Sequence, residues 1–311
     1  SLTGQGVEQT LRYVAKCIPE LRVIEVQSGT RVFDWTVPKV WNLRQGFMDH
    51  VSGMRIIDFK QNNLHIIGYS TSIDVWLSKK ELRKNVYFRE DLPTAIPYVT
   101  SYYKSNWGIC MSYEQWQKLD DGPYHVVINS ELSDGKLKYG EVLLPGKSSQ
   151  EILFSTYICH PSMANNELSG PAVLTALMDF IKSLGNRHYS YRAIFVPETI
   201  GTLAYLSKNL DHLKRELIGG WVLTCLGDEG RFSYIPSRLG NNYADRITKK
   251  VLSKLGHEVV YYRWLDRGSD ERQFCAPGID LPFCSITRTK YGEYPEYHTS
   301  LDNLKLISEE G

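Results

Sequence analysis

Four strand-like apolar segments of this 311-residue chain are each followed by polar side chains that could bind a metal ion or move a proton. The segments are ILFSTYI, YRAIFVP, GWVLTCL and PFCSIT. The side chains that follow them are His160, Asn166, Glu167, Glu198, Asp228, Glu293, Glu296 and His298. Because ligands of open α/β sheets bind at the carboxyl ends of the parallel strands, these side chains are predicted to lie at one edge of a sheet.

A metal site is the simplest explanation for these side chains. Zinc binds imidazole nitrogen and carboxylate oxygen, and a catalytic zinc site keeps one position open for water. His160 and His298 are the predicted ligands, and Glu167 or Asp228 is predicted to add a carboxylate. Glu198 is the candidate base that takes a proton from the bound water and returns it to a leaving amine.

Each of these side chains also has a simpler explanation when it is taken alone. A His or Glu at the end of a strand is more often a cap or a hydrogen-bonded polar group, and the segment SMANNELSG could simply begin a helix. Their joint placement favours a shared site. Cys159, beside His160, could instead act as a thiol nucleophile, but no second histidine and no glycine-rich oxyanion turn accompany it.

Two further segments are predicted to be structural. The aromatic segment DWTVPKVWN, with Trp35 and Trp41, is expected to pack against the core rather than to form a ligand platform. His65 lies within the apolar segment NLHIIGYS and is expected to be a core or edge residue rather than a metal ligand.

The elements that must position these residues fall into two styles. From about residue 54 to residue 144, short apolar segments bounded by turns indicate β-structure. From residue 151 onward, strand-like segments alternate with helix-like ones such as SGPAVLTALMDFIKSL, which indicates a parallel sheet flanked by helices. We therefore predict one α/β domain formed by residues 1–50 and 145–311, with a small β-rich domain inserted at residues 51–144.

The composition argues against several classes of function. Lys and Arg number 36 and Asp and Glu number 35, and no basic run is interleaved with aromatic residues, so nucleic acid is not an expected partner. No segment approaches the roughly 18 to 20 apolar residues that span a bilayer, so no membrane partner is expected. The six cysteines are widely scattered without a CxxC pair, which favours the reducing cytoplasm.

The chain resembles the bacterial aminopeptidase-like proteins associated with polysaccharide biosynthesis, which are related to zinc aminopeptidases with two metal ions. The matching segments include STYICHPSMANNELSGP, FVPETIG, LTCLGDEG, GSDERQFCAPGIDLP and YGEYPEYHTSLDNL. The resemblance implies a phosphorylase/hydrolase-like mixed α/β sheet with an inserted domain of the protease-associated type. It also implies that relatives carry a winged-helix domain beyond the position where this sequence ends.

The resemblance implies a role for three residues of the candidate site. His160 is similar to the first metal-binding histidine of the zinc aminopeptidases, and His298 is similar to the last one. Glu198 is similar to their general base, although the ligand Glu that follows the base is replaced here by Thr199.

The resemblance also shows where carboxylates are missing. Asn166 stands where the relatives have the aspartate that bridges two ions, and Glu167 is a possible substitute. Asp228 is the candidate for the remaining aspartate ligand, although Thr224 could align there instead. Because an amide holds two adjacent cations poorly, one zinc ion is expected rather than two.

The expected function is hydrolysis of an amide bond in a peptide or an amide-bearing small substrate. Asp270 is expected to be a further ligand or to orient a ligand imidazole, and the expected contacts to substrate come from Arg272, Arg288, Glu293 and Tyr297. A protein that has kept the fold but lost turnover, and now binds a ligand, is the alternative that the neutral residues at positions 166 and 199 favour. The sequence leaves open whether the chain forms a homo-oligomer.

Overall fold

Sixteen strands and seven α-helices form the part of the chain that the structure describes, residues 2–311 of a computed structural model. The strands are β1 (Arg22–Gln27), β2 (Arg31–Val32), β3 (Trp35–Thr36), β4 (Val40–His50), β5 (Arg55–Asp58), β6 (Ile73–Leu77), β7 (Val86–Tyr87), β8 (Ile109–Cys110), β9 (Tyr124–Ser133), β10 (Lys136–Leu144), β11 (Glu151–Tyr157), β12 (Ser190–Val196), β13 (Leu217–Leu223), β14 (Phe232–Ile235), β15 (Val259–Tyr261) and β16 (Phe283–Thr287). The helices are α1 (Gln5–Cys17), α2 (Lys79–Leu82), α3 (Tyr113–Gln117), α4 (Ser169–Ser183), α5 (Ile200–Glu216), α6 (Tyr243–Leu255) and α7 (Glu271–Phe274). Single helical turns lie at Asn63–His65, Arg83–Asn85, Ala164–Leu168 and Trp264–Asp266.

A mixed sheet of eight strands forms the centre of the fold, in the order β1-β10-β12-β11-β13-β16-β14-β15. The inner strands β12, β11, β13 and β16 run parallel to one another, whereas β10 and β14 join them in antiparallel pairs. The carboxyl ends of four parallel strands therefore meet at one edge, as the sequence predicts.

Helices cover both faces of this sheet, which explains why side chains on both faces of its inner strands are buried. On β12, Ala193 and Phe195 pack with α1, α4 and α6 on one face. Ile194 and Val196 pack with α5 and α7 on the other face. This alternation follows from the two-residue period of a strand, and it confirms the predicted α/β class.

A second sheet of four strands has the order β5-β4-β9-β6 and a hydrophobic core of its own. Two strands differ from the boundaries that the sequence predicts. Strand β4 lies before residue 51 but pairs with β9, and β10 lies before residue 145 but pairs with β12 in the large sheet. The pairing partner of a strand depends on distant segments, which local apolar patterns do not reveal. The division into two domains itself stays a prediction.

Helix α6 illustrates how local sequence sets the limits of an element. Its first turn is capped by Asn242, whose side chain accepts a hydrogen bond from the backbone of Asp245, while the Asp245 side chain accepts one from the backbone of Asn242. The helix ends at Gly256, which has a φ of 68°. Glycine adopts this left-handed conformation without a steric penalty, so the helix stops there.

None of the helices within residues 2–311 combines the length and the apolar character needed to cross a bilayer. No disulfide joins the six cysteines in this part of the chain. The cytoplasmic location that the cysteine pattern indicates stays a prediction.

Gly170→Ala is expected to destabilise the protein by about 1 to 3 kcal/mol, because a Cβ at this position would overpack the core. It would lie 2.4 Å from the carbonyl oxygen of Leu223 and 2.4 Å from Thr156 Oγ1. Urea unfolding measures the effect. Gly185→Ala is the matched control, since a Cβ there meets nothing within 4 Å. Equal stability of the two variants would contradict the close approach of α4 to the strand ends.

Candidate metal centre

The two histidines that the sequence predicts as ligands lie side by side. His160 follows β11 and His298 lies in the segment after β16, and the centroids of their rings are 5.0 Å apart. The ring of Tyr98 contacts both imidazoles edge-on, with a centroid distance of 5.1 Å to each. Two residues far apart in sequence thus share one buried environment.

His160 has a carboxylate beside each of its ring nitrogens. Nδ1 lies 3.0 Å from Glu167 Oε2, and Nε2 lies 3.6 Å from Glu198 Oε2. Cys159 Sγ lies 3.4 Å from Nδ1. The ligand atoms of Cys159, His160 and Glu167 lie within 4.8 Å of one another, so a metal ion could in principle bind on either side of the imidazole.

A turn of π-helix at Ala164–Leu168 carries Asn166 and brings Glu167 to this imidazole. The turn is stabilised by Asp302, a fully buried residue that the sequence analysis does not identify as functional. The carboxylate of Asp302 accepts hydrogen bonds from three successive backbone N–H groups, at 3.1 Å from Ala164, 2.6 Å from Asn165 and 3.0 Å from Asn166. It also accepts one from the hydroxyl of Tyr294, at 2.9 Å. The only available signal was its position four residues after His298 in the segment HTSLDN.

Two buried polar atoms at this centre have no hydrogen-bond partner among the described residues. They are Asn166 Oδ1 and His298 Nε2. The other end of the Asn166 amide is engaged, because Nδ2 donates to the hydroxyl of Tyr157 at 2.8 Å. A buried acceptor without a partner costs about 1 to 3 kcal/mol, so such atoms are rare unless they bind something. Both atoms are good metal donors, and the residues present therefore fit a bound cation.

The electrostatics of the two histidines differ. Burial, together with the nearby His160, lowers the pKa of His298 to about 3, so its imidazole is neutral at pH 7. Burial also acts to lower the pKa of His160, but contact with Cys159 and Glu167 outweighs it and leaves that pKa well above its ordinary value. Burial raises the pKa of the Glu167 carboxyl. Metal ions bind the neutral form of an imidazole, and His298 is already in this form at pH 7.

Glu198 stands on a strained turn at the end of β12. The next residue, Thr199, has a φ of 64°. A residue other than glycine adopts this left-handed conformation at a cost of roughly 1 to 3 kcal/mol. The turn is held from two directions. Ser269 Oγ donates to Glu198 Oε1 at 2.9 Å, and the backbone N–H of Thr199 donates to Asp270 Oδ1 at 2.7 Å.

The structure places Asp270 differently from the prediction that it binds metal or orients an imidazole. Asp270 Oδ1 accepts a hydrogen bond from the backbone N–H of Thr199. Asp270 therefore stabilises the turn that carries Glu198. Burial and the charge of Glu198 raise the pKa of Asp270 to about 8. The neighbouring Glu271 is also fully buried, and its Oε1 accepts from the backbone of Gly268 at 2.9 Å and of Ser269 at 3.1 Å.

The Asp228 carboxylate is engaged by hydrogen bonds from neighbouring loops, and its expected ligand role stays a prediction. Its carboxylate accepts hydrogen bonds from Asn165 Nδ2 at 2.7 Å, the backbone of Gly230 at 2.7 Å and Thr289 Oγ1 at 2.6 Å. These contacts join three loops at the edge of the sheet. An oxygen pair that is fully used by such donors has little left to offer a metal ion.

A cavity of about 280 Å³ opens onto the centre beside Glu198 and His298. Two of the predicted substrate-binding residues, Arg272 and Tyr297, line it. Arg288 and Glu293 do not: the Arg288 guanidinium donates to the carbonyl oxygen of Glu310 at 2.9 Å, and Glu293 lies 3.8 Å from Lys290 Nζ at the surface. A substrate contact from Arg288 or Glu293 therefore has no support in the structure.

The aromatic segment that was expected to pack against the core is divided between two roles. Trp41 is buried and stacks on Tyr69 with a centroid distance of 5.8 Å, as expected. Trp35 is 39% exposed and lines the cavity with Tyr102 and Tyr103, so the prediction is wrong for this residue. The sequence offered no cue to separate the two tryptophans.

The remaining predictions concern His65 and Cys159. His65 is buried, with Nδ1 2.8 Å from the carbonyl oxygen of Cys110, which confirms a core role. Burial raises the pKa of the Cys159 thiol. A thiol with a raised pKa is a poor nucleophile, so the structure gives no support to cysteine-dependent acyl transfer.

Comparison with known proteins places these observations in a family. The family model described as "Domain of unknown function (DUF4910)" matches residues 1–311. A Clostridium acetobutylicum protein with the provisional name of polysaccharide biosynthesis protein with aminopeptidase-like domain is 44% identical over 311 residues, which is all of this chain and 71% of that protein. A crystal structure of a candidate peptidase from the same organism has a TM-score of 0.96 at 44% identity, and the match covers all of this chain and 72% of the other.

A more distant similarity concerns the fold alone. The zinc aminopeptidase BSAP from Bacillus subtilis has a TM-score of 0.64 at 13% identity, over 98% of this chain and 84% of that one. The large mixed sheet flanked by helices is therefore a fold that zinc aminopeptidases share.

Asp302→Asn is expected to destabilise the turn at Ala164–Leu168, because an amide cannot accept all the hydrogen bonds that the carboxylate accepts. The loss is expected to be about 2 to 4 kcal/mol. Hydrogen exchange measured by mass spectrometry should show faster exchange of the amides of residues 164–166. Asp211→Asn, at an exposed position of α5, is the control. Unchanged exchange in Asp302→Asn would show that the turn does not depend on this carboxylate.

Proposed function

We propose that this chain, which belongs to the family described as "Domain of unknown function (DUF4910)", is a metal-dependent hydrolase of aminopeptidase type. The observation that carries the proposal is the buried His298 Nε2 without a hydrogen-bond partner, in a ring whose centroid lies 5.0 Å from that of His160. Asn166 Oδ1, on the turn that also carries Glu167, is a second buried polar atom without a partner. The zinc aminopeptidase fold and the name of the 44% identical relative support the same function.

The metal would be held by His160 and His298 through ring nitrogens, with the amide oxygen of Asn166 as a third ligand. Glu167, which lies 3.0 Å from Nδ1 of His160, would orient that imidazole so that Nε2 serves as the donor. Bound zinc supplies a water with a pKa near 7 and polarises a substrate carbonyl. One ion is proposed rather than two, because Asn166 and Thr199 are neutral where two-metal relatives are expected to have carboxylates.

Glu198 is the proposed proton carrier. Its carboxylate faces the same cavity as His298 and lies 3.6 Å from His160 Nε2. The hydrogen bond from Ser269 leaves the other carboxylate oxygen to face the reaction. In amide hydrolysis Glu198 would accept a proton from the attacking water and deliver it to the leaving nitrogen as the C–N bond breaks. The products are a carboxylate and an amine.

The substrate is proposed to be a peptide or a small molecule that carries an amide. The cavity of about 280 Å³ accommodates a compact group, and its lining includes Glu198, Tyr297, Trp35 and Tyr103. Arg272 lines this cavity and donates to Thr199 Oγ1 at 2.9 Å, so it links the substrate side to the Glu198 turn.

A binding protein without turnover is the second candidate. It is favoured by the neutral side chains of Asn166 and Thr199, which would weaken metal binding compared with carboxylates. The presence of His160, Glu198 and His298 together argues for the hydrolase, because a scaffold needs neither the strained turn at Thr199 nor the hydrogen bond that orients Glu198.

We expect the wild-type chain to bind about one zinc ion, and we expect His160→Ala and His298→Ala to lose it, because each removes one of the two imidazole donors. Elemental analysis after dialysis against micromolar zinc measures the content. Cys159→Ser is the matched variant, since it removes a donor only from the Nδ1 side of His160. Loss of zinc in Cys159→Ser together with retention of zinc in His298→Ala would indicate that the ion binds on the Nδ1 side of His160. No zinc in the wild type would contradict the proposed function.

Glu198→Gln is expected to lower kcat by about 10² to 10⁴ with zinc still bound, because a neutral amide cannot accept the proton. Ser269→Ala, which leaves Glu198 in place but removes its hydrogen bond, is expected to lower kcat about tenfold at unchanged KM. Hydrolysis of aminoacyl amides provides the assay, and Ser269→Thr should recover most of the activity. A Glu198→Gln variant as active as the wild type would rule out this residue as the base.

A further inference from the structure

We propose that a second cavity, next to the metal centre, binds a neutral sugar ring that the substrate carries. The cavity has a volume of about 320 Å³. This inference names a substrate class for the proposed hydrolase and rests on that function only for the cleavage step. The binding of the sugar itself can be tested separately.

The position of this cavity connects it to the reacting groups. It lies between the first turns of α1, strand β4 and the segment that contains Tyr98 and Tyr102. Leu2 and Tyr102 also line the cavity that contains Glu198 and His298, so the two spaces adjoin. The ring of Tyr98 lines the second cavity and also contacts both histidines, with a centroid distance of 5.1 Å to each imidazole.

The lining of the second cavity combines aromatic rings with side-chain amides. The rings belong to Trp41, Phe59, Tyr69, Tyr98 and Tyr102. The side-chain amides belong to Gln5, Gln9, Asn42 and Asn63. Among the described residues that line it, none is an acid, a lysine, an arginine or a histidine. The lining is therefore uncharged, in contrast to the lining of the neighbouring cavity, which includes Glu198 and Arg272.

The amides retain hydrogen-bonding capacity. Asn42 Oδ1 accepts from the backbone of Gln5 at 3.1 Å, and Asn63 Oδ1 accepts from Ser162 Oγ at 2.6 Å, but neither amide nitrogen donates to a described residue. Gln5 and Gln9 are exposed residues of α1 at the rim of the cavity, and their side chains make no hydrogen bond within residues 2–311. Four amide NH2 groups and the side-chain oxygens of Gln5 and Gln9 thus line the space without a partner in the protein, and they can bond to a ligand that displaces water.

A neutral sugar ring matches this lining better than other small ligands. Its C–H faces stack on aromatic rings, and its hydroxyls donate to and accept from amide groups of the kind found here. A charged ligand would lose part of its hydration without meeting an opposite charge, which disfavours its binding. A purely apolar group would leave the amides unused. The volume of about 320 Å³ lies at the lower end of the range for small-molecule sites and suits one or two rings.

Saturation-transfer NMR on the whole chain tests the binding with defined probes. Methyl glucoside and N-acetylglucosamine are the neutral sugars, glucosamine and glucuronate are their charged counterparts, and adenosine is a neutral aromatic probe. We expect saturable binding of at least one neutral sugar and binding at least about tenfold weaker for both charged ones. Failure of both neutral sugars to bind, or tighter binding of adenosine, would overturn the proposal.

Two variants locate the binding on the chain. Gln5→Ala and Gln9→Ala each remove an amide that has no partner in the protein, so both should fold normally. Each is expected to weaken sugar binding about three- to tenfold, the effect of one lost neutral hydrogen bond. Gln45→Ala is the matched control, because Gln45 is exposed on β4 and does not line the cavity. Equal affinity in all three variants would overturn the assignment to this cavity.

The outcomes separate this inference from the proposed function. Sugar binding by a chain that takes up no zinc would support the sugar site and contradict the hydrolase. Zinc binding and amide hydrolysis without any sugar binding would support the hydrolase and overturn the sugar site.

Discussion

The candidate site depends on the buried carboxylate of Asp302, which joins the two chain segments that carry the proposed metal donors Asn166 and His298. Its oxygens accept three successive backbone N–H groups of the turn that contains Asn166, and Asp302 itself lies a few residues beyond His298. The turn and the histidine therefore cannot move independently. Hydrogen bonds to a charged acceptor are worth roughly twice those to a neutral one, so this carboxylate stabilises a backbone turn that would otherwise have unsatisfied donors.

The arrangement stores unfavourable local free energy at the place where chemistry is proposed. Thr199 and His298 both have a positive φ, of 64° and 56°, and Asn166 Oδ1 and His298 Nε2 are buried without partners. Each feature costs on the order of 1 to 3 kcal/mol. The apolar cores on the two faces of the eight-stranded sheet offset these terms, because they fix the strand ends from which the site is built. A rigid sheet with strained, unpartnered groups at its carboxyl edge is suited to binding a cation that the protein alone does not satisfy.

The sequence predicted those features of the fold and of the candidate site that depend on neighbouring residues in the chain, but not those that depend on contacts between distant segments. Alternating strand-like and helix-like segments predicted the α/β sheet, and strand ends followed by His160, Glu198 and His298 predicted which edge holds the site. Asp228 and Asp302 could not be told apart, because both are acidic residues after an apolar segment or a turn, and only distant backbone and side-chain groups decide which oxygens are occupied. The same holds for β4 and for Trp35, whose neighbours come from segments far along the chain.

Anomalous X-ray diffraction at the zinc absorption edge, from crystals of the chain grown with zinc, would locate the bound ion. We expect one strong peak about 2.0 to 2.1 Å from Nε2 of both His160 and His298. A peak beside Nδ1 of His160 and Sγ of Cys159, or no peak near either histidine, would contradict this expectation.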